Sequence, residues 1–120
     1  MNQVDDLRAI RAVIESYTKA CQTGDVETLG ALFHADAKMY GSVDGRYAEQ
    51  PITRMLERVA AAPTGDGHRC EIVSLHQTGG AASVLFAEEG FQGRSFMDHF
   101  ALTRHEGTWL VVSKVYHHTV

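Results

Sequence analysis

Residues 95–120 read SFMDHFALTRHEGTWLVVSKVYHHTV, and this stretch decides the fold. Apolar and polar side chains alternate on both sides of Glu106-Gly107, which is the pattern of two β-strands joined by a tight turn. With a three-residue loop that ends at Gly107, Asp98 falls opposite Lys114 on one face of the hairpin. The same face is predicted to carry Phe96, Phe100, Leu102, Leu110, Val112 and Tyr116.

An acid and a base inside an apolar stripe are costly to bury, because each charge loses its hydration. We therefore expect function at Asp98 and Lys114. The alternative is a cross-strand ion pair at the rim of a pocket, with only a small effect on stability. A two-residue loop would instead pair Asp98 with Val115 and turn Lys114 to the opposite face.

The composition is typical of a single globular domain, residues 1–120, in the cytoplasm. The chain is 44% hydrophobic and 22% charged, with a net charge of −4. These values give no basic surface for nucleic acid and no Lys/Arg cluster for a membrane surface. The first ten residues lack the cationic start and apolar core of a secretory signal, and no apolar run is long enough to span a bilayer.

The cysteines and histidines give no recognisable metal motif, so we expect neither a metal nor a cofactor. Cys21 and Cys70 have no motif spacing and are predicted to be reduced thiols. Adjacent His117 and His118 point to opposite faces of a strand, and no histidine pair has the helical spacing of a zinc protease. His99 shares a face with His117, but the predicted register leaves the two apart.

The order of elements predicts an α+β fold. An apolar stripe from Leu7 to Cys21 repeats every three or four residues and indicates a first helix. A short second helix follows Asp25, with Phe33 on its inner side, and a brief strand covers residues 37–42. Pro51 suits the first turn of a third helix. After it the period changes to two, and four strands are predicted at residues 68–77, 81–91, 95–104 and 108–119.

The second face of the hairpin is also largely apolar. Because three helices can cover only one face of the sheet, we expect the other face to form a homodimer interface, with partial solvation as the alternative. This outer face is predicted to carry Met97, His99, Ala101, Thr103, Trp109, Val111, Ser113, Val115 and His117.

Three segments carry a resemblance to a known superfamily: YTKACQTGD (17–25), LFHADAKMYG (32–41) and FMDHFALTRHEGTWLVVSKVYH (96–117). The chain resembles nuclear-transport-factor-2-like (NTF2-like) proteins, the cone-shaped fold of ketosteroid isomerase, scytalone dehydratase and small polyketide cyclases. Within it, the chain is most similar to the family called "Putative lumazine-binding". The resemblance implies three N-terminal helices packed in a strongly bent mixed or antiparallel sheet, which forms a conical α+β barrel with an internal apolar pocket. The implied pocket residues are Tyr17, Phe33, Tyr40, Met55, Phe86, Phe96, Phe100 and Tyr116, with Arg46 near the mouth.

The resemblance to ketosteroid isomerase extends to its oxyanion hole, which combines a tyrosine with a neutral aspartic acid. Tyr17 and Asp98 match these two residues. At the position of the catalytic base, however, the chain offers only Tyr40-Gly41-Ser42, and a cation at Lys114 should hold Asp98 ionised. We therefore do not expect ketosteroid-type isomerisation.

Dehydration of the scytalone type is not expected either, because His99 and His117 are predicted to face away from the pocket. If the chain is catalytic, Asp98 is the candidate base, Tyr17 the hydroxyl donor and Lys114 the group that stabilises negative charge. Glu88 and Glu89 alternate faces, and a solvated charge at a strand end is favoured over a pocket carboxylate.

Three functions remain open. The leading one is a homodimer that binds a small aromatic or heterocyclic molecule in an apolar conical pocket. The alternatives are a lyase or isomerase, dehydratase- or cyclase-like, that acts on a small carbonyl compound through Tyr17 and Asp98, and a dimerisation module whose pocket is filled by its own side chains.

Overall fold

The computed structural model describes residues 3–119, which form three helices and a six-stranded mixed sheet. The strands lie in the order β2-β1-β6-β5-β4-β3, and all neighbours are antiparallel except β1 and β6. The predicted α+β class is confirmed, with an open sheet rather than a closed barrel. None of the helices within the described residues is both long and apolar enough to cross a membrane. The helices are α1 (Gln3–Thr23), α2 (Val26–Ala31) and α3 (Thr53–Ala61), and the strands are β1 (Phe33–Val43), β2 (Arg46–Pro51), β3 (Arg69–Thr78), β4 (Ala81–Phe91), β5 (Arg94–His105) and β6 (Thr108–Thr119).

The long helix α1 packs its apolar stripe against the inner face of the sheet, as predicted. Tyr17 lies at the centre of this packing, and its ring makes edge contacts with Phe33, Phe86 and Phe100 at centroid distances of 5.3 to 6.4 Å. Each such side chain contributes about 1.5 to 3 kcal/mol when it is fully buried. The other buried residues of α1 are Asp6, Ile10, Ile14, Ala20 and Cys21.

Asp6 fastens the N-terminal end of α1 to the sheet. Its carboxylate is 2.9 and 3.0 Å from Nη1 of Arg104, and it accepts weaker hydrogen bonds from Trp109 Nε1 at 3.4 Å and Gln77 Nε2 at 3.3 Å. The guanidinium of Arg104 also lies over the Trp109 ring, 5.5 Å from its centroid. We call these four residues the Asp6 clamp.

Strand β2 is absent from the prediction because its sequence is polar and it forms an edge of the sheet. Asp44 and Gly45 have positive φ angles of 52° and 79°, which make the tight turn that brings β2 back along β1. Pro51 therefore ends this strand instead of starting α3, which begins two residues later. Phe33 likewise starts β1 and does not belong to the second helix, which ends at Ala31.

The hairpin of β5 and β6 pairs in a different register from the predicted one. A two-residue loop, not a three-residue loop, joins the strands, so His105 lies opposite Thr108. A bulge at Val112 then shifts the register by one more residue. Asp98 consequently pairs with Tyr116 rather than with Lys114.

Each of these two shifts exchanges the inner and outer residues of β6, so the bulge cancels the effect of the loop on the strand beyond it. Between the loop and the bulge, Trp109 and Val111 face the core, although they were predicted on the outer face, and they are only 3% and 1% exposed. Leu110 and Val112 lie on the other face, because successive residues alternate along a strand. Beyond the bulge the alternation is restored, and Lys114 is buried on the inner face as predicted.

Gly41 lies where the resemblance to ketosteroid isomerase would place the catalytic base, and no side chain fits there. A Cβ at this position would collide with the backbone oxygen of Tyr116 and would lie 2.6 Å from its ring. The close contact between β1 and β6 thus requires glycine.

We expect Gly41→Ala to lower the free energy of unfolding by about 1 to 3 kcal/mol, because the added methyl group overpacks the contact with Tyr116. Equilibrium unfolding in urea measures the change. Gly67→Ala is the matched control, since a Cβ there meets no atom within 4 Å, and we expect it to change stability by less than about 0.5 kcal/mol. Equal stability of Gly41→Ala and the wild type would contradict the close packing of β1 against Tyr116.

Candidate functional site

Five polar side chains lie together inside the sheet and form what we call the interior cluster. They come from α1, from the residue preceding β3, and from β4, β5 and β6, so the helix and the adjacent strands β3 to β6 assemble them together. All five are at most 6% exposed, and burial on this scale requires that charges be paired. The cluster consists of Tyr17, His68, Glu88, Asp98 and Lys114.

Glu88 is the centre of the interior cluster. Its Oε1 lies 2.8 Å from His68 Nε2, and its Oε2 lies 3.5 Å from the Nζ of Lys114. The hydroxyl of Tyr17 donates to the same carboxylate at 3.1 to 3.2 Å. Burial alone would raise the pKa of Glu88, but Lys114 and hydrogen bonds from Asp98 and His68 hold that pKa below its ordinary range.

Lys114 is held as an ammonium ion. Burial favours its neutral form, but the carboxyl groups of Asp98 and Glu88 outweigh burial and raise the pKa of Lys114. Its Nζ donates to the hydroxyl oxygen of Tyr17 at 2.8 Å. The charge also lies over two aromatic rings, 5.3 Å from the centroid of Tyr17 and 5.4 Å from that of Phe91.

Tyr17 connects the ammonium to the carboxylate. It accepts from Lys114 and donates to Glu88, so its phenol must keep its proton. Burial, followed by the negative charge of Glu88, raises the pKa of Tyr17 well above its ordinary value. The tyrosine predicted as a hydroxyl donor is therefore buried, protonated and already engaged with both charged partners.

Asp98 is the exception in this network. Within residues 3–119, no donor lies within hydrogen-bond distance of either of its carboxyl oxygens, and the side chain is fully buried. Burial raises the pKa of Asp98 well above its ordinary value; Lys114 opposes the shift, while Glu88 adds to it. A proton on Asp98 lets it donate to Glu88. The expectation that Lys114 keeps Asp98 ionised stays a prediction, which the pH dependence of stability tests.

A narrow cavity of about 30 Å³ lies beside Lys114, between α3 and strands β1, β4, β5 and β6, at the end of the sheet that holds Phe91 and Phe96 and that we call the wide end. Adjoining it is a recess of about 400 Å³, which shares Val43, Arg58, Phe91 and Phe96 with the cavity. The passage is narrow because Phe96 packs edge-on against both Phe91 and Tyr116, at 6.2 and 5.7 Å between ring centroids. The cavity is lined by Met39, Val43, Met55, Arg58, Phe91, Phe96, Lys114 and Tyr116.

The structure brings together most of the side chains predicted for the pocket. Met55, Phe96, Lys114 and Tyr116 line the cavity, whereas Phe33, Phe86 and Phe100 pack around Tyr17 as part of the core beneath it.

Two predicted pocket residues lie elsewhere. Tyr40 pairs with Val115 on the outer face, because its neighbour Met39 occupies the inner one. Arg46 is exposed at the start of β2. Arg58 and Arg94 take the predicted place of Arg46 at the mouth.

Sequence reasoning missed Glu88 and His68 as site residues. The signal for Glu88 was its spacing, since it follows the buried positions Val84 and Phe86 at intervals of two on an alternating strand. The favoured interpretation of Glu88 as a solvated charge at a strand end is wrong. His68 precedes its strand and offered no such signal.

Comparison with known proteins agrees with this geometry. The family described as "Putative lumazine-binding" matches residues 5–117. An NTF2-like protein from Shewanella baltica OS155 is 27% identical and superposes with a TM-score of 0.89 over 100% of this chain and 98% of that chain. For an NTF2-like protein from Methylobacillus flagellatus KT the identity is 28% and the TM-score 0.90, over 99% and 96% of the two chains.

A curated protein of named activity is also similar. Aldolase FrzH from Cladobotryum sp. is 24% identical over 110 residues, which cover 91% of this chain and 88% of that protein. Both the sequence match and the superpositions extend over almost the whole chain, and they confirm the resemblance predicted from the three segments. The chain belongs to the family described as "Putative lumazine-binding", within the NTF2-like superfamily.

Proposed function

We propose that the protein binds a small, flat aromatic or heterocyclic molecule at the wide end of the sheet, with one ligand oxygen on Lys114. The observation that carries this proposal is a buried ammonium at the base of an aromatic-lined cavity. Glu88 and Tyr17 hold the ammonium from behind. On the cavity side its Nζ contacts only the thioether sulfur of Met55, at 3.6 Å, which is a weak acceptor that a ligand carbonyl or carboxylate oxygen can replace.

The volumes of the cavity and of the adjoining recess limit which part of a ligand each can hold. A cavity of about 30 Å³ holds little more than one water molecule or one ligand oxygen. The recess of about 400 Å³ is within the range of small-molecule sites. The ligand ring therefore rests in the recess, and rotation of Phe96 and Tyr116 admits its polar edge to Lys114.

The lining of the recess favours a particular ligand class. Phe91 and Phe96 offer flat apolar contact, while Arg58 and Arg94 add positive charge at the mouth. A planar heterocycle with carbonyl oxygens, such as a pteridine, fits this combination, and so does a small aromatic acid. Membership of the family described as "Putative lumazine-binding" supports the pteridine.

We expect lumazine or a small aromatic acid to raise the melting temperature of the wild type, because binding at 100 times Kd adds about 2.7 kcal/mol of stability. The double variant Lys114→Met with Glu88→Gln should lose this shift, since it removes the ammonium without leaving a buried charge unpaired. Lys38→Met, at an exposed position of β1, is the control and should keep it. No shift of the wild type by either compound class, or equal shifts in the double variant, would contradict the proposed site.

A second candidate is a lyase or isomerase that acts on a small carbonyl compound. It is favoured by the similarity to an aldolase and by three proton donors in one cluster: the Tyr17 hydroxyl, the Lys114 ammonium and neutral Asp98. Such donors stabilise the oxyanion that forms when a proton leaves the carbon next to a carbonyl. Asp98 then acts as a donor and not as the base first expected, and Glu88 is the ionised carboxylate.

The catalytic candidate requires a proton on Asp98 at neutral pH, and this has a consequence for stability. A raised folded-state pKa means that the unfolded chain releases the proton first, so stability is lost as pH rises above the unfolded pKa of about 4. We expect Asp98→Asn to be more stable than the wild type at pH 7 and to show a flatter dependence of stability on pH between about 5 and 8.

Urea unfolding at several pH values measures this difference. Glu88 does not obscure it, because a lowered pKa changes stability only below about pH 4. Asp66→Asn, at an exposed loop position, is the control. If Asp98→Asn is equally destabilised at pH 5 and pH 8, Asp98 is ionised and the donor role fails.

Homodimerisation through the outer face of the sheet stays a proposal. The half-buried Leu110 and Val112 lie on this face, as does Val115, which is 45% exposed.

The aromatic closure of the cavity also favours the third possibility, a dimerisation module with a filled pocket, which the ligand experiment separates from a binding protein. A cytoplasmic location and the lack of nucleic-acid or membrane partners remain expectations from the sequence.

We expect the wild type to have about twice the 13.2 kDa chain mass in light scattering and Val115→Lys to have the single-chain mass, because the new charge would be buried in the interface. Val4→Lys, on the exposed side of α1, should remain dimeric. A monomeric wild type would contradict the proposed interface, and so would a Val115→Lys variant that remains dimeric.

A further inference from the structure

A second group of side chains meets Glu88 from the side opposite the cavity. His68 Nε2, Cys70 Sγ and a carboxylate oxygen of Glu88 all lie within 4.8 Å of one another. The pairing of β3 with β4 brings this about: Cys70 lies directly opposite Glu88, and His68 is two residues before Cys70 on the same face. The imidazole nitrogen is 3.1 Å from the thiol and 2.8 Å from Glu88 Oε1.

The three side chains are also held from outside, as metal ligands are. Thr64 Oγ1 lies 3.0 Å from the Nδ1 of His68, which orients the ring with Nε2 towards Cys70 and Glu88. Gln22 donates to the backbone oxygen of His68 at 2.7 Å, and Tyr17 fixes the Glu88 carboxylate. Metal-bound histidines commonly have such a partner on their second nitrogen.

We propose that His68, Cys70 and Glu88 form a three-ligand site for a divalent cation of the zinc type. One imidazole nitrogen, one thiolate and one carboxylate are a donor set typical of zinc and cobalt, and not of calcium or magnesium. Bonds of about 2.0 to 2.3 Å in tetrahedral geometry separate such donors by about 3.3 to 3.6 Å. The hydrogen-bonded distances would therefore widen by about half an ångström.

An open groove gives the ion a path to this site. The groove lies between α1 and β3, has a volume of about 620 Å³, and includes Cys70, Thr18 and Gln22 in its lining. Cys70 is only half-buried, so an ion can reach its sulfur from the groove. The fourth coordination position would face this groove and accept water or a ligand atom.

Binding must release the thiol proton. The ligand form of cysteine is the thiolate, so the ion replaces the proton on the Cys70 sulfur. The thiolate then balances one charge of the ion, and Glu88, which also pairs with Lys114, is shared between the two cations.

The test is titration of reduced, chelator-treated full-length protein with Co²⁺ and Zn²⁺. We expect one ion per chain, a charge-transfer absorption from thiolate to cobalt, visible bands of tetrahedral Co²⁺, and displacement of Co²⁺ by Zn²⁺. His68→Ala and Cys70→Ser should each weaken Zn²⁺ binding by at least about 100-fold, and Thr64→Val should weaken it by about 10-fold through the orientation of the imidazole.

Cys21→Ala is the matched control, since Cys21 is the other free thiol and lies outside the three-ligand group. It should keep both the affinity and the charge-transfer band. Circular dichroism identifies any variant that fails to fold, and the charge-transfer band of the wild type reports coordination by sulfur without any variant. Lack of this band, binding that survives Cys70→Ser, or loss of binding in Cys21→Ala would overturn the proposal.

Discussion

The ammonium of Lys114 inside the sheet is the constraint on which the rest of the interior depends. A lone charge in an apolar core would cost several kcal/mol, so its burial requires a carboxylate close by. Glu88 supplies that carboxylate from the neighbouring half of the sheet, and Tyr17 of α1 bridges the two with one hydroxyl group. The helix, β4 and β6 are thereby tied to a single point. Burial and the negative charge of Glu88 raise the pKa of Asp98 in the same interior, against the opposing effect of Lys114.

Glu88 also connects two groups of polar side chains, one on each of its carboxylate oxygens. One of its oxygens faces Lys114 and the cavity at the wide end, and the other faces His68, with Cys70 and the groove beyond it. A change of charge on either side must therefore be felt on the other through one carboxylate. This arrangement distinguishes the interior from a purely apolar binding pocket, in which the two openings would be electrostatically independent.

The sequence predicts the fold better than the site, for physical reasons. Strand alternation and the helical stripe of α1 are local patterns, and both predict the observed elements. No local sequence pattern indicates the bulge at Val112 or the two-residue loop. Together, however, they determine that both Trp109 and Lys114 face the interior. Pairing of Lys114 with Glu88 depends on two successive strand registers, β4 with β5 and β5 with β6. The prediction missed two one-residue shifts, which cancel in their effect on the face that Lys114 occupies. They do not cancel in their effect on the residue that lies opposite it.

The Asp6 clamp has a consequence for motion. It joins the start of α1 to β3, β5 and β6 at the end of the molecule opposite the cavity, through an ion pair, a ring contact and two amide or indole hydrogen bonds. At the cavity end, Phe96 meets Tyr116 through ring contact, and the polar contacts nearby are made by exposed side chains, Arg94 with Asp44 and Gln92 with the backbone at the end of α3. A guest that enters beside Phe96 therefore displaces ring contacts and exposed polar contacts, while the buried carboxylate of the Asp6 clamp keeps the other end of α1 in place.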